Sequence, residues 1–200
     1  SMEDALAQVL PRPLIALALA ELRVLHLALL SWGRPADVPG GATGFAYHRY
    51  LAPMIAVLLV LQLIELSVVH LLVMLWSPTL AYMLLAISAW GVLWILALLK
   101  SLRLRPILLT EQGVRVRAGL LIDVTVPFDR IAAVREPSGG QEVKAKTTLN
   151  AALLAWPSIV IELREPMRLP GPLGRERLVE KVAFKLDDPA AFHAQLSNRL

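Results

Sequence analysis

Two ionisable side chains inside one apolar run pose the first chemical question. Between Leu51 and Leu99 the only formally charged residue is Glu65, and His70 follows five positions later. A carboxyl and an imidazole can pass a proton, bind a metal or ligate a haem iron, and ionisable groups within apolar spans usually face protein or a wet cavity. At about 100° per residue the two stand roughly 140° apart around a helix, with Gln62 between them in angle. One reading is a metal, haem or proton-handling site built by Glu65 and His70, with His48 or His26 brought in from elsewhere. The other is structural: Glu65 is protonated or bonded to Ser88, Gln62 or Arg23, and His70 is hydrogen-bonded near an interface. No H-x-x-x-H, H-E-x-x-H or E-x-x-H spacing occurs, and there is no cysteine, which removes thiol catalysis, disulfides and Cys-ligated metal sites. The sequence assigns neither a catalytic residue nor a cofactor, and no metal set is complete.

The elements that must position these groups follow from composition. The chain has 200 residues, 56% hydrophobic and 18% charged, with a mean hydropathy of +0.60. That is too apolar for an ordinary soluble domain and predicts a membrane protein. The segment Trp76-Ser77-Pro78-Thr79 divides the apolar run into 51–76 and 79–99. Each is long enough to cross about 30 Å of hydrocarbon at about 1.5 Å per residue. The first holds sixteen Leu, Ile and Val residues, worth roughly −0.3 to −0.6 kcal/mol each against about +3 for Glu65, so it should insert.

Orientation follows from the flanks. Arg49 precedes the first span, Lys100, Arg103 and Arg105 follow the second, and the turn between is uncharged. Both outer ends therefore face the cytoplasm, and everything after Lys100 is cytoplasmic. Tyr47 and Tyr50 suit an inner interfacial belt and Trp76 an outer one; within "FAYHRY" (45–50), His48 and Arg49 offer either an anchor or a headgroup contact. The segment 14–32 carries Glu21 and Arg23 near its centre, so it reads as a helix at the cytoplasmic interface or packed on the hairpin, with a third span as the alternative. A Pro/Gly linker (33–44) follows it. Ser1 before Met2 reads as the scar of a removed tag, and Glu3 and Asp4 argue against a signal peptide.

After Pro106 the period changes. Val114 and Val116 alternate with Arg115 and Arg117, and Ile122, Val124 and Val126 alternate with Asp123 and Thr125. Residues 158–165 and 178–186 continue as strands, and "DDPAAFHAQLSNRL" reads as an Asp-capped helix with Phe192, Leu196 and Leu200 on one face. The basic residues Arg103, Arg105, Arg115, Arg117, Lys144, Lys146, Arg175 and Arg177 outnumber nearby acids. Held against an anionic leaflet they would each contribute about 1 kcal/mol of adsorption. Nucleic acid is not an expected partner, since no basic-aromatic motif or recognition helix appears. Segment 137–157 reads as a long loop whose "AALLAW" end packs, and 170–177 as a turn without phosphate-loop spacing.

The stretch "LTEQGVRVRAGLLIDVTVPFDRIAAV" (109–134) resembles the signature of bacterial PH-like domains attached to transmembrane hairpins. More loosely, 45–198 is similar to a family of bacterial integral membrane proteins with no assigned activity, through "FAYH", "RP" at 105–106, "PSIVIELREPM" and "DDPAAF". The first resemblance implies binding of lipid headgroups, peptides or other subunits rather than catalysis. The expectation is an α+β membrane protein of the bacterial inner membrane in three parts: an N-terminal helix and linker (1–44), a two-helix transmembrane hairpin (45–102), and a cytoplasmic PH-like antiparallel β domain with a C-terminal helix (103–200). Its expected partners are membrane lipids and either further copies of itself or another membrane protein.

Overall fold

The computed structural model describes residues 21, 22, 24–31, 33–170, 176–197 and 199. Arg23, Arg175, Leu200, the first seven residues of segment 14–32 and most of segment 170–177 therefore lie outside the described residues, and the expectations placed on them go no further. The chain is mixed α+β and divides into two compact units: one from Ser1–Arg34 and Ile55–Ser101, the other from Pro35–Met54 and Leu102–Leu200.

The first unit is helical. Glu21, Leu22, Val24 and Leu25 are helical and lead into a π-helical turn, His26–Leu30. Two long apolar helices follow, α1 (His48–Met74) and α2 (Pro78–Leu104); their first and last turns belong to the second unit. The break between them is written in Ser77 and Pro78. The Trp76 and Ser77 amides both donate to the Val73 carbonyl, at 3.0 and 2.8 Å, which closes α1. Ser77 then caps α2, its Oγ accepting from the Leu80 amide at 3.5 Å, and Pro78 takes the first helical position, where its missing N–H costs nothing. Pro106 ends α2 in the same manner from the other side.

The second unit is built on two four-stranded sheets. The first runs β1 (Thr43–Phe45), β2 (Ile107–Leu109), β3 (Gly113–Ala118), β4 (Ile122–Pro127), all antiparallel. The second contains β5 (Ile131–Arg135), β6 (Thr148–Asn150), β7 (Ile159–Pro170) and β8 (Glu176–Phe184), in the order β5-β7-β8-β6. β5 and β8 pair antiparallel with β7, whereas β6 pairs parallel with β8, so this sheet is mixed. Segment 137–157 is thus more than a loop: it holds a short helix α3 (Gly140–Lys144) and β6. Its "AALLAW" end is divided, with Ala151, Ala152 and Ala155 buried and Leu154 and Trp156 exposed.

Alternation puts Val114, Val116 and Val126 inside, and the near-continuous apolar runs of β2 and of β7 and β8 bury Leu108, Ile159, Ile161, Val182 and Phe184. A final helix, α4 (Pro189–Ser197), is capped by Asp188, whose Oδ1 accepts the Ala191 amide at 3.0 Å. It presents Phe192 edge-on to Phe45 and Phe184, with ring centroids 5.1 and 5.7 Å away. The stretch 33–44, read as a linker, ends in β1 and supplies Asp37 to this unit. Its Pro and Gly content suits the bends that carry it there.

Candidate functional site

The structure does not bring Glu65 and His70 together. Glu65 lies on an exposed face of α1 and has no hydrogen bond or ion pair among the described residues, with Ser88 and Gln62 included. His70 is half-buried on the side facing α2. Its Nδ1 lies 3.4 Å from the Ala81 carbonyl and its ring 5.9 Å from that of Tyr82, about one turn nearer the hairpin bend than Leu85. Gln62 and Ser88 are half-buried. His26 sits with its Nε2 3.1 Å from Arg34 Nη1, and His48 begins α1 within the β-containing unit. No cluster of three or more His, Cys, Asp or Glu exists among the described residues.

The "FAYHRY" anchor is split by the structure. Tyr50 and Arg49 are exposed, but Tyr47 is only 1% exposed, so it is a core residue and not part of an interfacial belt. Its hydroxyl accepts the Gly119 amide at 2.7 Å, and burial pushes the phenol up to about 12. Gly119 has φ 55°, a left-handed conformation that glycine adopts without strain. The Arg49 amide donates to Asp187 Oδ2 at 3.3 Å, which ties the start of α1 to the loop before α4.

The basic residues expected to line a membrane surface have mostly been spent inside the unit. Arg117 is 1% exposed, which corrects its expected surface role. Its Nε donates to the Pro106 carbonyl, its Nη1 to Asp37 Oδ2 and its Nη2 to the Asp37 carbonyl, each at 2.8 Å. Burial lowers its pKa, and the Asp37 carboxylate works against that shift. Arg115 makes a two-pronged contact with Asp123 at 2.7 and 2.8 Å. Arg105 reaches the same carboxylate at 2.6 Å and the Gly119 carbonyl at 3.0 Å. Desolvation alone would raise the Asp123 carboxyl, but the Arg115 hydrogen bonds and the charges of Arg115, Arg105 and Arg117 outweigh it and hold it below its ordinary value. Arg177 donates to the carbonyls of Lys146 and Thr148 at 2.9 and 2.6 Å. Lys100, in the helical unit, donates to the Ala28 carbonyl at 2.8 Å. Arg103, Lys144 and Lys146 remain exposed.

Two features escaped sequence reasoning. One is a four-residue ionic network on the second sheet. Glu142 is bonded by both Arg135 nitrogens and by Lys181 Nζ (2.8 Å), while Glu162 meets Arg135 at 2.6 Å and Lys181 at 3.2 Å. The Ser138 amide and hydroxyl add bonds to Glu142 at 2.8 and 2.7 Å. The Arg135 and Lys181 hydrogen bonds hold the Glu142 carboxyl far below the usual range. The available signal was the cross-strand pair Glu162–Lys181, invisible until register is known. The other is a groove of about 720 Å³ between β4, Leu149 of β6 and the β7–β8 pair, lined by Ile122, Val124, Met167, Leu169 and Val179. It runs along β4, which is the edge of its sheet and has no outer strand partner among the described residues.

Comparison of the chain with protein-family models, with curated proteins and with solved structures found no match in any of the three.

Proposed function

We propose that this chain is an integral membrane protein whose helical hairpin anchors a PH-like β domain at the cytoplasmic face of a bacterial inner membrane, where the domain serves protein assembly rather than catalysis. The observation that carries the reading is the pair of helices of 27 residues each, with mean hydropathies of 2.4 and 2.2 and only 6% of each most apolar window buried. Apolar surface of that extent in water would be strongly unfavourable, and lipid is the solvent that suits it.

Strand pairing adds support. Thr43–Phe45 pairs with Ile107–Leu109, so the residues flanking the two helices lie in one sheet and must sit on one side of any membrane. Two crossings satisfy that condition and one does not. The PH-like assignment draws on two four-stranded sheets closed by a C-terminal helix, together with the resemblance of 109–134. Assembly is favoured over headgroup capture because Arg105, Arg115 and Arg117 are already engaged by the carboxylates of Asp123 and Asp37. The β4 edge beside an apolar groove is the kind of surface that accepts an added strand.

The test exploits the absence of cysteine. Chain carrying Lys146→Cys, expressed in bacteria, should stay with the membrane through alkaline extraction. A membrane-impermeant thiol reagent should label it in inverted vesicles and not in intact spheroplasts. Release at alkaline pH, or labelling from outside, would overturn the reading.

A further inference from the structure

An ionisable group on a lipid-facing helix surface needs a partner, and none of the described residues provides one for Glu65. Glu65 is in the middle of α1, exposed, and unpaired among the described residues. It does not stand alone on that face. Leu58, Leu61, Glu65, Val68, Leu72 and Leu75 follow one another at spacings of three and four, the seven-residue repeat of a helix–helix seam. Every one of them is exposed; Leu61, Val68 and Leu72 are 54, 49 and 62% accessible. The side of α1 that meets α2 is a different one, marked by half-buried Leu59, Leu66 and His70.

We propose that this seam is a homodimer interface, in which α1 packs against α1 of a second copy and the two Glu65 carboxyl groups complete each other's hydrogen bonding. The inference rests on the membrane reading above and names the partner. Identity of the partner follows from chemistry. A carboxylic acid group carries one O–H donor and acceptor oxygens, so two of them are complementary to each other. All copies insert in the same orientation, so a two-fold axis along the membrane normal runs their α1 helices parallel and sets Glu65 against Glu65 at equal depth. A different partner would have to carry its own polar group at that depth. A polar residue at one seam position also fixes register, since any slip leaves both carboxyls unpaired in lipid.

The chain lacks cysteine, so single replacements report the face directly. In vesicles of neutral phospholipid, mild oxidation should link Leu61→Cys, Val68→Cys and Leu72→Cys into disulfide dimers. Val60→Cys and Ser67→Cys, exposed on another face, should stay monomeric. Adding Glu65→Leu to Leu72→Cys should reduce dimer yield on lipid dilution by about tenfold, while Glu65→Gln, still self-complementary, should retain it. Cross-linking without face preference, or a yield unaffected by Glu65→Leu, overturns the pairing while the membrane reading stands. Release of the chain from vesicles at alkaline pH overturns both.

Discussion

The guanidinium of Arg117 makes three hydrogen bonds while almost wholly withdrawn from water, and among the described residues the Asp37 carboxylate is its only counter-charge at contact distance. Replacing Asp37 with Ala leaves a buried cation short of an acceptor. The expected loss is about 1–3 kcal/mol, read as a lower denaturant midpoint of the detergent-solubilised chain, and an unchanged midpoint would refute the role. Acid sensitivity belongs at this scale too. The Glu142 carboxyl is held below its ordinary value of roughly 4.3, so its stabilisation is complete above that value and is lost as pH falls towards the folded-state pKa. The thermal midpoint should therefore drop between about pH 5 and pH 2, and Glu142→Gln should start lower and flatten the slope. Neither residue's role was legible in the sequence. The alternation Val-Arg-Val-Arg correctly faced the valines inward, but it could not show that Asp37, 80 residues away, would arrive to bury one of the two arginines. Tyr47 was misread for the same reason, because its partner Gly119 is 72 positions distant. Glu65 stood out because a charge in an apolar run needs no third dimension to be noticed.

Elements with local causes were easier to read. Ser77 and Pro78 announced both the end of one helix and the cap of the next, and Asp188 with Pro189 did so for α4. Period-two alternation marked β3 and β4. What stayed hidden were β1, a three-residue strand inside a Pro/Gly-rich stretch, and β6, whose pairing to β8 is parallel. Short strands carry too few residues for a period, and only the neighbouring strand defines them. Gly113 offers a test of the β3–β4 pair. A Cβ there would stand 2.2 Å from the Val126 carbonyl oxygen and 2.7 Å from Pro127 Cα, so backbone must move. Gly113→Ala should cost about 1–3 kcal/mol of stability. Equal midpoints for the variant and the parent would show that the strands yield freely.

At the scale of the molecule, composition separated the apolar helical part from the sheet-bearing part, but the boundary between them is not a single cut. Residues 35–54 fold with 102–200. A fragment limited to 103–200 lacks β1, Asp37 and Tyr47, and so removes two of the three Arg117 acceptors and the Tyr47 hydroxyl that receives the Gly119 amide. Arg117 would keep its bond to the Pro106 carbonyl but lose both Asp37 contacts, so such a fragment should show a broad, weakly cooperative thermal transition by circular dichroism. Joining 35–54 to it through a flexible linker should sharpen that transition; identical curves would mean that the early segment is dispensable.

The pairing of β1 with β2 also imposes an order on biosynthesis. If the two helices cross a membrane as proposed above, the first strand leaves the ribosome well before its neighbour and must wait, edge uncovered, while both helices are delivered to the translocon. Closure of the sheet can occur only after the second helix has returned the chain to the side it started from. On that reading, insertion of one helix without the other would leave the two strands in different compartments, so a closed sheet excludes a half-threaded chain.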